Sequence, residues 1–256
     1  MIIPTMKYKE MYDHLAGDHE KVEYRKKYYL PKAIKEFRKT RSFPAWQLWE
    51  YTVPETKNKY VIYYYADSYN CIENPITGSF AEMRDGDERF IIKWLAGGYK
   101  HTPNSPIKLV RQIHAYGSHF FVRYKERILN NMNYSSNEVA CIYFSCNDKV
   151  MPIEVNEEVN KNIEKYGEGG KVGFIVRDGI CFTQNRLEGK FESEERSDND
   201  IVDAILIQFK TFVSNKMLYE NQSFAINKEY WNSLLKAYAS FEAEATDGEL
   251  VLKLEP

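Results

Sequence analysis

Over the first forty residues apolar side chains recur every three to four positions, and from about residue 45 they alternate or run together. The first pattern predicts helix over residues 6–39, broken at Gly17-Asp18, where Asp18 is placed to cap the second segment. Pro31 should kink or divide that segment, because it removes an N–H and crowds the preceding turn. The second pattern predicts strands at 46–53, 59–66, 79–84, 89–96 and 107–116, separated by turn residues such as Asn74-Pro75 and Asp85-Gly86-Asp87.

Helical periodicity returns at 119–131 and 136–146, and Ser135 and Glu138 have the spacing of a capping box. Beyond an apolar piece at 150–153, Asn156 is placed to cap a helix reaching about 165, and 166–171 reads as a turn. KVGFIV and ICFTQ flank Arg177-Asp178-Gly179, a hairpin signal. The stretch 186–203 reads as an acidic loop, 204–214 as a central strand and 228–241 as a last helix. These elements predict an α+β protein with an N-terminal helical arm, an antiparallel meander, a central helix pair, a second antiparallel strand group and a C-terminal helix. One domain over 1–256 is expected, with a subdivision into 1–105 and 106–256 as the other arrangement.

Composition sharpens this picture in two places. The 20 Tyr, 14 Phe and 4 Trp favour pleated, half-buried surfaces, in keeping with a large sheet. The net charge of −2 excludes a broadly basic nucleic-acid coat, yet residues 21–41 alone hold nine Lys/Arg against Glu23 and Glu36. Tyr24, Tyr28, Tyr29 and Phe37 are interleaved with those cations. Arg25, Lys26, Lys27, Lys35 and Arg38 are therefore candidate contacts to phosphates, with the tyrosines available for stacking. The plainer alternative is an amphipathic helix whose tyrosines pack on the meander.

The densest candidate chemistry lies in GSHFFVRYKERILN, residues 117–130. At 100° per residue, His119, Arg123, Glu126, Arg127 and Asn130 share one arc of about 100°, shouldered by Phe120, Phe121, Tyr124 and Ile128. An imidazole in the first turn is suited to acid–base work near neutral pH, and two guanidiniums below it to phosphate oxygens. Glu126 would orient an arginine or act as the partner base. The alternative is a solvated stripe in which Glu126 pairs with its own neighbours.

The string H-x3-R-x2-E-R, the Ser-capped helix SSNEV, then FIVRDG and KTFVS resemble the core of RelE/ParE-like toxin domains of the barnase–EndoU–colicin–RelE group. The likeness spans 118–146, 172–184 and 204–214, and the chain as a whole resembles proteins of bacterial mobile elements. It implies a metal-independent ribonuclease with His119 as acid or base and Arg123 and Arg127 on phosphate. It also implies sheet residues in the site, which nominates Lys210 with Arg177, Thr211 and Ser214. The chain is longer than a lone toxin domain, and residues 147–171 intervene between the helices and the hairpin.

Other chemistry finds little footing. The five histidines show no HExxH spacing, no GxSxG is present, and YGEGGK lacks the phosphate-loop pattern, so neither cofactor nor metal is expected. Cys141 and Cys146, within VACIYFSC, read as buried thiols. No apolar run approaches a membrane span, and no signal segment is evident, so a cytoplasmic protein is expected. The functional expectation is a RelE-like ribonuclease; the alternative is a non-catalytic module that holds nucleic acid or a protein through the stripe or the basic helix.

Overall fold

The computed structural model describes residues 1–99, 108–130, 133–148, 150–154, 172–191 and 200–218. Helices α1 (Tyr8–Gly17) and α2 (His19–Phe37) open the chain. Strands β1 (Ala45–Thr52), β2 (Lys59–Ala66), β3 (Ile76–Asp85), β4 (Glu88–Tyr99) and β5 (Lys108–Gly117) follow. Then come α3 (Ser118–Tyr124), continued by a π turn over Lys125–Leu129, and α4 (Ser136–Cys146). Strands β6 (Met151–Glu154), β7 (Val172–Val176), β8 (Gly179–Lys190) and β9 (Ile201–Ser214) complete the described chain.

All nine strands form one sheet in the order β1-β2-β3-β4-β5-β9-β8-β7-β6. The first five pair antiparallel in sequence order, as a meander does. The two strand groups are not separate, however: β9 lies parallel to β5, with Tyr116 in register with Phe209 and their rings stacked 4.1 Å apart. The sheet is therefore mixed. The expected loop at 186–203 is also shorter than anticipated, because β8 runs to Lys190 and β9 begins at Ile201. The helices expected near 156–165 and 228–241 lie outside the described residues.

Helices cover both faces. Val22, Ala33 and Phe37 of α2, with Met11 and Leu15 of α1, pack on Tyr60, Ile62, Tyr64 and Ala66. Opposite them, Phe120, Phe121, Tyr124 and Tyr143 of α3 and α4 pack on Val61, Tyr63, Tyr65 and Tyr116. This explains why KYVIYYYA reads as an unbroken apolar run: β2 is buried on both sides after Lys59. The consecutive tyrosines 63–65 simply alternate between the two cores. Gly179 is required where β8 crosses close to β9, since a Cβ there would meet the Val213 carbonyl oxygen at 2.1 Å.

Two local expectations meet different physics. The Ser135–Glu138 capping box forms in both directions, and Glu138 additionally accepts from the Trp46 indole at 3.1 Å. Asp18, by contrast, does not cap α2. It is 1% exposed and accepts from Thr56, from Asn58 at 2.7 Å and from Tyr60 at 2.9 Å, tying the helix corner to the β1–β2 turn. Nor does Pro31 divide α2, which runs through it. The Tyr64 hydroxyl donates to the Lys26 carbonyl, beside the Lys27 carbonyl that Pro31 leaves without a helical donor.

Candidate functional site

α3 buries Phe120, Phe121 and Tyr124 against the sheet and turns His119 to solvent. Arg123 sits between its neighbours, donating from Nε to His119 Nε2 at 3.4 Å and from Nη1 to Glu126 Oε2 at 3.0 Å. His119, Arg123 and Glu126 thus form one exposed chain of contacts. Arg127 does not continue it. The wider π turn carries an extra residue, shown by Asn130 N–H reaching Lys125 O at 3.1 Å, and shifts Arg127 out of line with Arg123. Its guanidinium donates instead to the Phe212 carbonyl of β9. The segment closes on Asn130 in the left-handed region at φ 50°.

The sheet residues nominated beside this stripe are dispersed. Lys210 shares a cavity with Met11, Ile92 and Leu206, which places it on the α1 face, across the sheet from His119. Thr211 is 4% exposed and its hydroxyl has no partner among the described residues. Ser214 is buried at 2% exposure. Arg177 is exposed and pairs with its neighbour Asp178 at 3.0 Å. Among the described residues, His119 and Lys210 therefore do not converge on a common recess.

The basic helix presents a different arrangement. At 100° per residue, Lys21, Arg25, Lys27, Lys32, Lys35 and Arg38 fall within one arc of about 160°, on the side opposite Val22, Ala33 and Phe37. Glu20 is the one acid inside that arc. Two tyrosines stand among the cations with their rings in solvent, Tyr24 at 67% and Tyr28 at 49% exposure. Lys32 Nζ lies 4.2 Å over the Tyr28 ring, and the Arg25 guanidinium lies 5.0 Å over Tyr51, so both cations are held at the surface by aromatic faces. Lys27 and Lys35 have no hydrogen bond or ion pair among the described residues.

Not every cation nominated on α2 is available. Lys26 is half-buried and bonds Glu23 at 2.8 Å, and Arg38 grips Glu73 through two bonds of 2.9 and 2.8 Å. The open set is Arg25, Lys27, Lys32 and Lys35. Lys32 was not singled out by the sequence, although its position four residues after Tyr28 is the signal that would have found it.

Sequence reasoning also missed three polar centres, in which Asp18 and His114 are buried and Asp178 and Lys93 half-buried. One is Asp18. A second is Asp178, held by Tyr124, Asn147 and Arg177. The third is the pair Lys93 and His114, directly opposite each other on β4 and β5, with Lys93 Nζ 4.6 Å over the Phe144 ring of α4 and His114 against Phe174 and Phe209. Burial pushes Lys93 down to about 8, and burial with the Lys93 charge pushes His114 down to about 4. A strand-embedded lysine and histidine look like any half-exposed pair in sequence, because the rings packed on them, Phe144, Phe174 and Phe209, are distant in the chain.

Among the described residues no cluster of His, Cys, Asp and Glu is arranged to hold a metal ion, and no helix is long and apolar enough to cross a membrane. No protein-family model, curated protein or solved structure matches this chain.

Proposed function

We propose that the protein holds single-stranded nucleic acid, RNA above all, on the outer face of α2. The observation that carries this reading is the segregation of that face. Among the described residues Arg25, Lys27, Lys32 and Lys35 stand without an acidic partner, while Glu55 and Glu73 take up Lys21 and Arg38, and Tyr24 and Tyr28 are exposed among them. Phosphates need cations that are not already neutralised, and Arg25, Lys27, Lys32 and Lys35 meet that need. Unpaired bases need flat apolar surfaces, and an exposed tyrosine ring supplies one worth about 1–3 kcal/mol per stacked base. A duplex hides its base faces and would leave the tyrosines unused. The helix is 19 residues long, about 28 Å, enough to track several nucleotides. The test is fluorescence anisotropy of a labelled single-stranded RNA against wild type and Tyr24→Ala. Binding by the wild type, weakened roughly tenfold in the variant, supports the reading; equal affinity removes it.

A second reading keeps the resemblance to RelE-type ribonucleases. It is supported by Arg123 bridging His119 and Glu126, an arrangement with an imidazole, a guanidinium and a carboxylate on one exposed edge. It draws no help from Lys210, which faces the other side of the sheet, nor directly from Arg127, turned toward β9. Its test is RNA degradation by wild type and His119→Ala. Cleavage by the wild type that the variant loses would make this the primary function.

A further inference from the structure

Between the first turns of α1 and the sheet lies a cavity of about 240 Å³, the volume of roughly eight water molecules at about 30 Å³ each. Its floor is apolar: Met11 from α1, Met83 from β3, Phe90 and Ile92 from β4, and Leu206 from β9. Its polar rim is unevenly built. Arg186 of β8 and Lys210 of β9 stand on one side with Gln208, and Asp85 and Glu88 of the β3–β4 turn stand on the other.

Lys210 reaches this rim by ordinary alternation along β9, two residues after Gln208 and four after Leu206, which line the same cavity. Phe182 pairs with Thr211 and Thr183 pairs with Phe209, so Lys210 is an extra residue with no partner on β8. The bulge resets the alternation beyond it, so that Phe209 and Phe212 both face the α3–α4 core. Arg186 lies in register with Leu206 on the same face. Burial and the Arg186 charge push the Lys210 ammonium below its ordinary value, and Glu88 only partly offsets them. Lys210 and Arg186 thus place two like charges on one rim of the cavity, which a bound anion would neutralise.

We propose that this cavity binds a small organic monocarboxylate, its carboxylate held between Lys210 and Arg186 and its hydrocarbon body against Met11, Met83 and Leu206. The apolar floor requires a hydrophobic body, which excludes inorganic phosphate as the preferred occupant. The carboxylates of Asp85 and Glu88 opposite the cations repel a second negative charge, so dicarboxylates and nucleotides are disfavoured. The cavity lies beneath α1 and is lined by no residue of α2, so it stands or falls independently of nucleic-acid binding.

The experiment is a titration of the full chain, carrying ¹³C-methyl methionine, with hexanoate and with 1-hexanol at pH 7. The expected result is a saturable shift of the Met11 and Met83 methyl signals, assigned by Met→Leu variants, with Met151 unmoved. Hexanoate should bind at least tenfold more tightly than hexanol, and Lys210→Met or Arg186→Gln should remove that preference. Both side chains are exposed, so neither variant is expected to disturb folding. An absent or non-saturable shift with wild type, equal binding of hexanol, or an unchanged preference in both variants would overturn the proposal.

Discussion

The Tyr124 hydroxyl donates to the Asp178 carboxylate at 2.5 Å, joining the end of α3 to the tip of the β7–β8 hairpin. Asn147, just past α4, completes the junction: its amide nitrogen donates to the same carboxylate at 2.9 Å and its oxygen accepts from the Asp178 backbone at 3.0 Å. Three elements distant in sequence are thereby fixed to one side chain. Removing the hydroxyl with Tyr124→Phe should cost about 1.5–3 kcal/mol in urea unfolding, the range for a hydrogen bond to a charged group.

The same junction predicts an acid limit. Burial raises the Asp178 carboxyl, but hydrogen bonds from Tyr124, Arg177 and Asn147 outweigh burial and leave it below its ordinary value. The unfolded carboxyl titrates near 3.9, so this contribution is complete above that pH and disappears as pH falls through the lower folded value. Unfolding midpoints measured from pH 6 to pH 3 should therefore fall less steeply below pH 4 in Asp178→Asn than in wild type. Parallel curves would remove Asp178 from this role.

Lys93 and His114 predict a second pH dependence at a higher range. Folded His114 stays neutral down to about 4, whereas the unfolded imidazole accepts a proton near 6.5. The unfolded chain thus binds more protons between those values, and stability should decline as pH falls from 6.5 to 4, by roughly 3 kcal/mol at most. His114→Leu should flatten that interval. Lys93, held down to about 8, is unfavourable as an ammonium at neutral pH, so stability should rise as pH increases from 8 toward 10.5. Lys93→Met should raise the midpoint at pH 7, because the desolvated ammonium is offset only by the Phe144 ring 4.6 Å away.

Asp18 carries the largest single polar burden at the helix corner. Asp18→Ala would strand the donors of Thr56, Asn58 and Tyr60 in a site where Asp18 itself is 1% exposed. A loss of about 2–4 kcal/mol is expected in urea unfolding, with Asp18→Asn less damaging because one acceptor oxygen survives.

What the sequence made legible was local. The Ser135–Glu138 box, the Gly17-Asp18 break and the hairpin at Arg177-Asp178-Gly179 depend on residues a few positions apart, and each forms where expected. The parallel union of β5 with β9 depends on residues some ninety positions apart and left no local mark. The stripe on α3 was read at 100° per residue, and it held for His119, Arg123 and Glu126. It failed for Arg127 because a π turn does not keep that angle. Lys210 was nominated from the resemblance alone; alternation along β9 places it with Leu206 and Gln208 on the α1 face, away from His119. On α2, charge and periodicity identified the basic face. They could not show that Glu23 and Glu73 occupy Lys26 and Arg38.

The central claim is that α2 contacts phosphates, and the salt dependence of RNA affinity tests it most directly. With Arg25, Lys27, Lys32 and Lys35 engaged, the slope of log K against log salt should be about −3 for a single strand. Lys27→Gln with Lys35→Gln should reduce its magnitude by about 1.4 and weaken binding at 50–100 mM salt, without altering the unfolding midpoint. No binding by wild type at about 50 mM salt, or the same slope and affinity in the double variant, would contradict the account.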